Sequence, residues 1–367
     1  MKIVADNTVP YLKGIAEPIA DIKYLNSNEF SPSTIHDADA LIVRSIDKCT
    51  RELLEGSRVK LITTATIGFD HIDIKYCDEA GITWKNAPGC NAVSVAQYVL
   101  SSLIAIGLRR NEPLQGKTIG IIGVGHVGKE LEKLCTAYGM RILRNDPPRA
   151  EAEGETGFVS LKTIAEEADI ISFHTPLTKE GPYATRHLAD EAFFSMTRKK
   201  PWFVNASRGA VHDTMAMIEA LKSGKISEAV IDCWENEPAI DRELLSLAAI
   251  ATPHIAGFSA DGKANGTRAC LENIECFFDL KIEKLNEVVP PAPAAPVIDL
   301  AEVTEHRIEQ AIFRSFDPLV VDKALREVPD KFEWFRANYN HPREFAAYTV
   351  KNGTTEERLL LDKLGFK

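Results

Sequence analysis

Short apolar runs recur through the first 85 residues and are separated by polar or helical stretches. Strands that alternate with helices in this way predict a parallel sheet with helices on both faces. Ligands bind beyond the carboxyl ends of such strands. Of the polar residues there, Arg44, Ser45 and the segment from Thr66 to Gly68 are our candidates for ligand contacts, although each alone is also an ordinary turn residue. The predicted strands lie at residues 2–5, 22–25, 40–43, 59–63 and 81–84.

A second series of apolar runs follows a long apolar helix. Residues 93–108 are apolar nearly all round, which predicts a buried helix that crosses between two lobes. A helix at residues 262–280 is expected to cross back to the first lobe. The pattern therefore predicts an α/β fold with two doubly wound parallel-sheet lobes. The strands of the second lobe are predicted at residues 117–122, 140–143, 168–173, 202–205, 229–231 and 249–251.

The first strand of the second lobe runs directly into the sequence GVGHVG and then into a helical pattern. Gly123 permits a tight turn, Gly125 lets the backbone approach a pyrophosphate, and Gly128 lets the helix pack close to the strand. The backbone N–H groups of His126 and Val127 open the helix, whose N-terminus favours phosphate. The stretch predicts a dinucleotide site of the Rossmann type; the alternative is a glycine-rich turn without a ligand.

An acidic residue follows the next strand at the position that a ribose contact requires. Asp146 lies 18 residues after Gly128 and is placed to accept hydrogen bonds from the adenosine ribose. A carboxylate there repels a 2′-phosphate, so we expect NAD rather than NADP as the cofactor. Arg144 and Arg149 lie nearby and leave that preference open.

Composition narrows the class of protein. A chain of 367 residues with 45% hydrophobic and 26% charged residues suggests a globular protein of two or three domains. The net charge of −10 and the lack of a basic run argue against nucleic acid as a partner. Seven cysteines without a C-x-x-C pair argue against a metal site and favour a reduced, cytoplasmic setting. We expect no signal peptide, no apolar run long enough to span a bilayer, and so no membrane partner.

Three residues with complementary chemistry follow three strands of the second lobe. The Arg208 guanidinium suits a carboxylate, the His254 imidazole exchanges a proton near neutral pH, and the Glu237 carboxylate can orient and charge-stabilise that imidazole. Each alone is more often a structural residue. Together, beside a dinucleotide site, they indicate catalysis.

The end of the chain has a different composition. Residues 286–296 are rich in proline and predict a stiff linker, and residues 297–367 mix many aromatic residues with charges. We expect these aromatic residues either to form an oligomer contact or to make a small cap that packs on its own chain. The domain boundaries we expect are 1–92 with 259–285, then 93–258, the linker, and 297–367.

Five motifs, in their order and spacing, resemble the D-isomer-specific 2-hydroxyacid dehydrogenases: GIIGVGHVGKEL, HTPLT, VNASRGAV, DCWENEP and TPHIAG. The resemblance implies a substrate lobe, a Rossmann NAD lobe and a small C-terminal α+β dimerisation domain. It also implies a phosphorylated 2-hydroxy acid as substrate and a homodimer formed through residues 297–367. Another 2-hydroxy acid, such as 3-phosphoglycerate, and an NAD-sensing regulatory protein on the same fold remain alternatives.

The resemblance assigns a role to individual residues. It makes His254 the acid/base, Glu237 its partner and Arg208 the anchor for the substrate carboxylate. Ser45 and Thr66 are implied to contact substrate. The residues implied to line the NAD site, besides the glycine loop, are Asp146, Thr175, Ala206, Ser207, Asp232 and Gly257.

The chain departs from this pattern at one position. Close relatives carry a tyrosine after HIAG, whereas this chain has Phe258. We therefore expect any substrate hydrogen bond from that hydroxyl to be missing, while the ring still shapes the pocket.

Overall fold

The computed structural model describes residues 1–367 as two compact units. Unit 1 consists of Met1–Asn91 and Ser259–Pro291, and unit 2 consists of Ala92–Phe258 and Ala292–Lys367. The C-terminal segment, for which we expected a domain of its own, therefore clusters with the second lobe. All eleven strands predicted for the two lobes are present, and their ends differ from the expected ones by at most two residues.

The first part of unit 1 forms a five-stranded parallel sheet in the order β2-β1-β3-β4-β5. Its elements are β1 (Lys2–Asp6), β2 (Asp21–Leu25), α1 (Pro32–Ile35), β3 (Ala40–Val43), α2 (Arg51–Leu54), β4 (Leu61–Thr64), α3 (Ile74–Ala80) and β5 (Thr83–Lys85). Alternate strand residues pack on opposite faces, because successive side chains of a strand point to opposite sides. Leu41 and Val43 meet the short helices, while Ala40 and Ile42 belong to the opposite core.

Unit 2 contains a six-stranded parallel sheet in the order β11-β10-β9-β8-β6-β7. Its elements are α4 (Ala92–Arg110), β6 (Thr118–Ile122), α5 (His126–Ala137), β7 (Arg141–Asn145), α6 (Pro147–Glu153), α7 (Leu161–Glu167), β8 (Ile170–Phe173), α8 (Glu191–Ser195), β9 (Trp202–Asn205), α9 (Thr214–Lys222), β10 (Glu228–Ile231), α10 (Arg242–Leu247) and β11 (Ile250–Ala251). Ile119 and Ile121 pack with α4 and α5, and Phe173 and Phe203 pack on the other face. Both sheets are thus covered on two faces, and the predicted doubly wound α/β fold is confirmed.

Helix α4 corrects one expectation from the sequence. By length and hydropathy it is apolar enough to cross a membrane, although we expected no run of that kind. However, 83% of its most apolar 18-residue stretch is buried inside the protein. It is therefore a core helix, whose apolar surface packs against α5 and the sheet of unit 2.

The remaining elements divide between the units. Helix α11 (Ala260–Phe278) belongs to unit 1 and supplies Ala264, Leu271 and Ile274 to its core. The C-terminal part of unit 2 is a small α+β region with one pair of parallel strands. It comprises β12 (Val297–Asp299), α12 (Arg307–Ser315), α13 (Pro318–Glu327), α14 (Phe332–Ala337), β13 (Thr349–Lys351) and α15 (Thr355–Leu364).

Several aromatic residues of the C-terminal region are buried against the rest of unit 2. Phe345 is fully buried and its ring stacks on Phe366 with centroids 4.4 Å apart. Both rings belong to the same core as α4 and α5, and Phe332 belongs to the core on the opposite face of the sheet. This part of the expected aromatic surface therefore packs on its own chain, while Trp334 remains 55% exposed.

Candidate active site

The glycine loop between β6 and α5 has the close packing that the sequence predicted. Gly123 has a φ of +86°, and a Cβ there would lie 2.6 Å from the carbonyl oxygen of His174. A Cβ at Gly128 would lie 2.3 Å from the carbonyl oxygen of Gly123, so the helix start is pressed against the turn. Gly125 differs, because its Cβ would meet no protein atom within 4 Å. The space at Gly125 is therefore open for a ligand to approach the backbone.

The surroundings of the loop fit a dinucleotide. Asp146 follows β7 and its carboxylate accepts hydrogen bonds from the backbone N–H groups of Val124 (2.8 Å) and Arg149 (3.2 Å). This places the acid directly against the glycine loop, where an adenosine ribose would bind. Thr175 also abuts the Gly123 turn, and its hydroxyl is buried without a hydrogen-bond partner. An unpartnered buried hydroxyl against the glycine loop indicates a polar ligand at this point.

The two arginines near Asp146 are occupied by carboxylates of the protein itself. Arg144 forms an ion pair with Glu132, and Arg149 binds Glu153 at 2.6 Å and the carbonyl oxygen of Val124 at 2.6 Å. A 2′-phosphate would compete with these partners and would meet the Asp146 carboxylate as well. This arrangement favours NAD over NADP.

His254 and Glu237 form a hydrogen-bonded pair after adjacent strands. His254 Nδ1 and Glu237 Oε1 are 2.6 Å apart, and about a quarter of each side chain is exposed. An Nδ1–H that donates to the carboxylate leaves Nε2 as the nitrogen that can accept a proton. The pair therefore has the geometry of a general base held by an acidic partner.

The surroundings of the pair raise the pKa of His254 and lower the pKa of Glu237. Burial disfavours the charged imidazolium of His254, but the neighbouring Cys233 and the hydrogen bond and charge of Glu237 raise its pKa well above the ordinary value. The Cys233 thiol is itself buried and has a raised pKa, so we assign the effect at neutral pH mainly to Glu237. Burial likewise opposes ionisation of Glu237, yet its pKa is lowered, chiefly by His254.

The motif that contains Glu237 holds a second glutamate with a different task. Glu235 Oε1 lies 2.6 Å from His187 Nε2, and its Oε2 accepts the backbone N–H of Thr214 at 3.0 Å. These bonds tie the loop after β10 to the start of α9. Glu235 is therefore structural, and Glu237 is the carboxylate that meets His254.

Asp232 organises the loop that carries His254. It is 1% exposed, and its Oδ1 accepts the Thr252 hydroxyl at 2.7 Å and the backbone N–H of Ile255 at 2.8 Å, while Oδ2 accepts the N–H of Ala256 at 3.0 Å. The fully buried Tyr98 hydroxyl in turn meets Thr252 Oγ1 at 2.6 Å. The network holds the backbone on both sides of His254.

Arg208 lies on a loop that a buried asparagine shapes. Asn205 Oδ1 accepts the backbone N–H of Ser207 at 3.1 Å and its hydroxyl at 2.9 Å. Asn205 Nδ2 donates to the carbonyl oxygen of Arg208 at 2.9 Å and meets His212 Nδ1 at 2.8 Å. Sequence reasoning missed Asn205, for which the only signal was an asparagine at the end of a strand.

The order of strands brings the three predicted catalytic residues to one edge of the sheet. Arg208 follows β9, Glu237 follows β10 and His254 follows β11, and these strands are neighbours. A Cβ at Gly209 would lie 2.0 Å from the carbonyl oxygen of Trp234, so the Arg208 loop is pressed against the loop that carries Glu237.

Comparison with known proteins identifies the family. The family model for the NAD-binding domain of D-isomer specific 2-hydroxyacid dehydrogenases matches residues 106–256. The erythronate-4-phosphate dehydrogenase of Porphyromonas gingivalis is 57% identical over 367 residues, which is 100% of both chains. The chain belongs to the erythronate-4-phosphate dehydrogenase group of the D-isomer-specific 2-hydroxyacid dehydrogenase family. The enzymes of the same name from Bacteroides thetaiotaomicron and Klebsiella pneumoniae are 51% identical over 95% of this chain and 99% of theirs, and 38% identical over 100% and 98%.

Solved structures of family members share the fold. The NAD-bound 3-phosphoglycerate dehydrogenase of Entamoeba histolytica is 27% identical with a TM-score of 0.64 and covers 77% of this chain and 97% of its own. The D-lactate dehydrogenase of Aquifex aeolicus, in complex with NAD and lactic acid, is 27% identical with a TM-score of 0.61 over 79% and 100%. The prediction of an NAD-dependent 2-hydroxyacid dehydrogenase is thereby confirmed.

In this member of the family, residues of the C-terminal region surround Phe258. The Arg336 guanidinium lies 5.8 Å from the centre of the Phe258 ring, and the Tyr339 and His341 rings lie 6.4 Å and 5.9 Å from it. Arg336 also helps to lower the pKa of Glu237, and its Nε is buried without a hydrogen-bond partner. Sequence reasoning missed these neighbours, because 78 residues separate Arg336 from Phe258.

Two predicted substrate residues belong to unit 1 rather than to the unit that holds the catalytic pair. Ser45 follows β3 and is exposed. Thr66 follows β4, where its hydroxyl donates to the carbonyl oxygen of Gly68 at 2.8 Å and meets Thr64 Oγ1 at 2.8 Å. Their contacts with substrate, and those of Ala206 and Gly257 with the cofactor, stay predictions.

Proposed function

We propose that this enzyme oxidises 4-phospho-D-erythronate at C2 to 2-oxo-3-hydroxy-4-phosphobutanoate, as a step of vitamin B6 biosynthesis. The observation that carries the proposal is the His254–Glu237 pair at the same edge of the sheet as a glycine loop that fits NAD. The full-length similarity to relatives named erythronate-4-phosphate dehydrogenase supports this substrate over other 2-hydroxy acids.

The proton of the substrate hydroxyl goes to His254. As the C2–H bond breaks and hydride leaves, the O–H bond gives its electrons to the new carbonyl group and its proton to Nε2 of the imidazole. NAD, when bound, supplies the acceptor for the hydride. The imidazolium that results is stabilised by the Glu237 carboxylate 2.6 Å from Nδ1. Glu237 therefore favours the product side of the proton transfer.

Arg208 is proposed to hold the substrate carboxylate. Its Nη1 donates to the carbonyl oxygen of Ser207 at 2.8 Å, a contact that fixes the direction of the guanidinium. A planar fork of N–H donors binds a carboxylate at two points, which orients the C2 hydrogen. Ser45 and Thr66 are proposed to contact the same substrate.

The cofactor contacts follow the predicted residues. His126 and Val127 open α5, and their backbone N–H groups would serve the pyrophosphate together with Gly125. Asp146 would accept the ribose hydroxyls, and Thr175 would offer its unpartnered hydroxyl. The buried Asp232 would act mainly by holding the backbone that lines the nicotinamide side.

The test is the formation of NADH, followed by its absorbance, on mixing the protein with NAD and 4-phospho-D-erythronate. The comparison substrate is 3-phosphoglycerate, the substrate named for a structural relative. We expect a kcat/KM at least tenfold higher with 4-phosphoerythronate, since a pocket built for one polar substrate discriminates strongly. A preference for 3-phosphoglycerate, or no NADH with either substrate while an acceptor recycles the cofactor, would overturn the proposal.

We also propose a homodimer formed through the C-terminal region. Six large apolar side chains there remain exposed: Val297, Leu319, Val320, Val328, Trp334 and Leu359. Burial of such a group against a second copy removes apolar surface from water. Sedimentation of the purified protein tests this, and a monomer at micromolar concentration would contradict it.

We also propose a cytoplasmic location, because all seven cysteines are free thiols. Cell fractionation tests this proposal.

A further inference from the structure

The C-terminal region brings one cation to the turn that carries His254. Arg336 belongs to α14, and its guanidinium lies 5.8 Å from the centre of the Phe258 ring, within the range of a cation–π contact. Phe258 closes the turn after His254, because its backbone N–H donates to the carbonyl oxygen of Ile255 at 2.8 Å. The position of the guanidinium is therefore tied to the turn that carries the catalytic histidine.

The charge of Arg336 is poorly neutralised by its own ion pair. Its Nη1 donates to Glu333 at 3.3 Å, a long contact with a carboxylate whose side chain is 61% exposed. Its Nε is buried and has no hydrogen-bond partner. A buried donor of this kind costs free energy unless another interaction compensates for it. Because an exposed ion pair contributes little, the compensation must come from the buried side of the guanidinium.

Two groups of unit 2 attract the cation on that side. One is the Phe258 ring, over which the guanidinium lies. The other is the Glu237 carboxylate, because Arg336 is among the charges that lower its pKa, although no direct ion pair joins the two side chains. Arg336 thus adds a second positive charge, besides the imidazolium of His254, to the surroundings of one carboxylate.

The neighbouring ionisable groups do not supply a comparable charge. Around the catalytic pair and Phe258 they are Asp232, Cys233, Tyr339 and His341. The first three are acids whose pKa burial raises, and an imidazole such as that of His341 is charged only when it is protonated. A guanidinium keeps its proton at every pH at which the enzyme is folded. Arg336 is therefore the constant positive charge beside the pair.

We propose that Arg336 is a positioning residue of the catalytic pair, whose guanidinium holds the Phe258 turn, keeps Glu237 charged and opposes protonation of His254. A fixed positive charge favours a nearby carboxylate and disfavours a second cation. Glu237 stabilises the imidazolium and Arg336 destabilises it, so together they set the pH below which the base is lost. This role rests on the proposed function, because it requires His254 as the base, but it does not depend on which 2-hydroxy acid is oxidised.

The experiment compares the acidic limb of kcat/KM, followed by NADH formation, in the wild type and in Arg336→Gln. Loss of the cation makes His254 easier to protonate, so its pKa rises and the limb moves to higher pH, by about 0.3 to 1 pH unit for a partly exposed charge. This direction is opposite to the one expected for Glu237→Gln. Arg336→Lys keeps the charge and should restore most of the wild-type profile.

The matched control is Arg358→Gln, the same chemical change at an exposed arginine of the C-terminal region. Its acidic limb should coincide with that of the wild type, because a distant exposed charge is screened. An unmoved limb in Arg336→Gln, a move to lower pH, or an equal move in Arg358→Gln would overturn the proposed role. A lower Tm in Arg336→Gln with an unmoved limb would show that Arg336 only docks the C-terminal region, which also overturns it.

A measurement without turnover separates this role from folding and from the proposed function. The pKa of His254 is followed by NMR of its imidazole, and His254→Gln assigns the signal, so that titration of His341 is not mistaken for it. Arg336→Gln should raise this pKa. Phe258→Leu removes the ring that holds the guanidinium and should raise the pKa by a smaller amount, which keeps the role testable if Arg336→Gln does not fold.

The outcomes of the NMR titration are distinct. A His254 pKa that is unchanged in Arg336→Gln, or in Phe258→Leu if the arginine variant does not fold, overturns the role of Arg336 whatever the enzyme oxidises. A His254 pKa that depends on Arg336, together with normal oxidation by His254→Gln, overturns the proposed mechanism and leaves the effect of Arg336 on the pair standing.

Discussion

Replacement of Glu237 by glutamine removes the charge beside His254 and keeps a similar shape. The amide oxygen of glutamine can still accept the Nδ1–H bond, which is 2.6 Å long in the wild type. A hydrogen bond to a charged group contributes about 1.5–3 kcal/mol, which corresponds to roughly 10- to 100-fold in rate at about 1.4 kcal/mol per factor of ten. We therefore expect the plateau kcat for oxidation to fall by that factor, because the imidazolium is less stabilised.

The pH profile should change in a direction that loss of structure would not produce. Oxidation requires a neutral imidazole, so the rate falls as pH drops through the pKa of His254. Because Glu237 raises that pKa, its removal lowers the pKa and moves the acidic limb of kcat/KM to lower pH. The assay is the initial rate of NADH formation across the acidic range, with Tm measured for each variant.

The matched control is Glu235→Gln, the same chemical change two residues earlier. Glu235 bonds His187 and Thr214 rather than His254, so its variant should keep the acidic limb in place. An unmoved limb in Glu237→Gln, or equal shifts in the two variants, would refute the coupling between Glu237 and His254.

Four further predictions concern the cofactor site and the Arg208 loop. Gly125→Ala should keep the wild-type Tm, since no protein atom lies within 4 Å of the new methyl group, yet weaken NAD binding measured by fluorescence titration. Gly128→Ala should instead lower the free energy of unfolding by about 1–3 kcal/mol in urea, because its methyl group meets backbone. Asn205→Ala leaves buried partners unpaired, so we expect a loss on the order of 3 kcal/mol and a raised KM through Arg208; unchanged stability would contradict this. Asp146→Ala should narrow the preference for NAD over NADP about tenfold in kcat/KM; an unaltered ratio would remove Asp146 from cofactor choice.

The periodic parts of the fold were predictable from the sequence. Buried parallel strands appear in the sequence as apolar runs. The glycine loop requires glycine at positions where a side chain would collide with the backbone. Gly123 and Gly128 therefore indicated both a tight turn and a cofactor site. Glu237 was predicted from its place after a strand and from the family resemblance, but the contacts that distinguish it from Glu235 are tertiary and were not predictable.

Contacts between distant segments were not predictable. Asn205 and Tyr98 act through buried hydrogen bonds whose partners are set by packing, and neither residue belongs to a recognisable motif. The approach of Arg336 to Phe258 depends on how the C-terminal region packs on the rest of unit 2. The apolar composition of α4 allowed both a buried helix and a membrane span, and only its burial decides between them.

The most direct test of the central claim is the rate of NADH formation by His254→Gln in a single turnover, with NAD affinity measured on the same sample. If His254 accepts the hydroxyl proton, the rate should fall about 10²- to 10⁴-fold. The dissociation constant of NAD should stay within about twofold, because the glycine loop and Asp146 are unaltered. A rate within a few fold of the wild type would show that another group removes the proton and would contradict the mechanism.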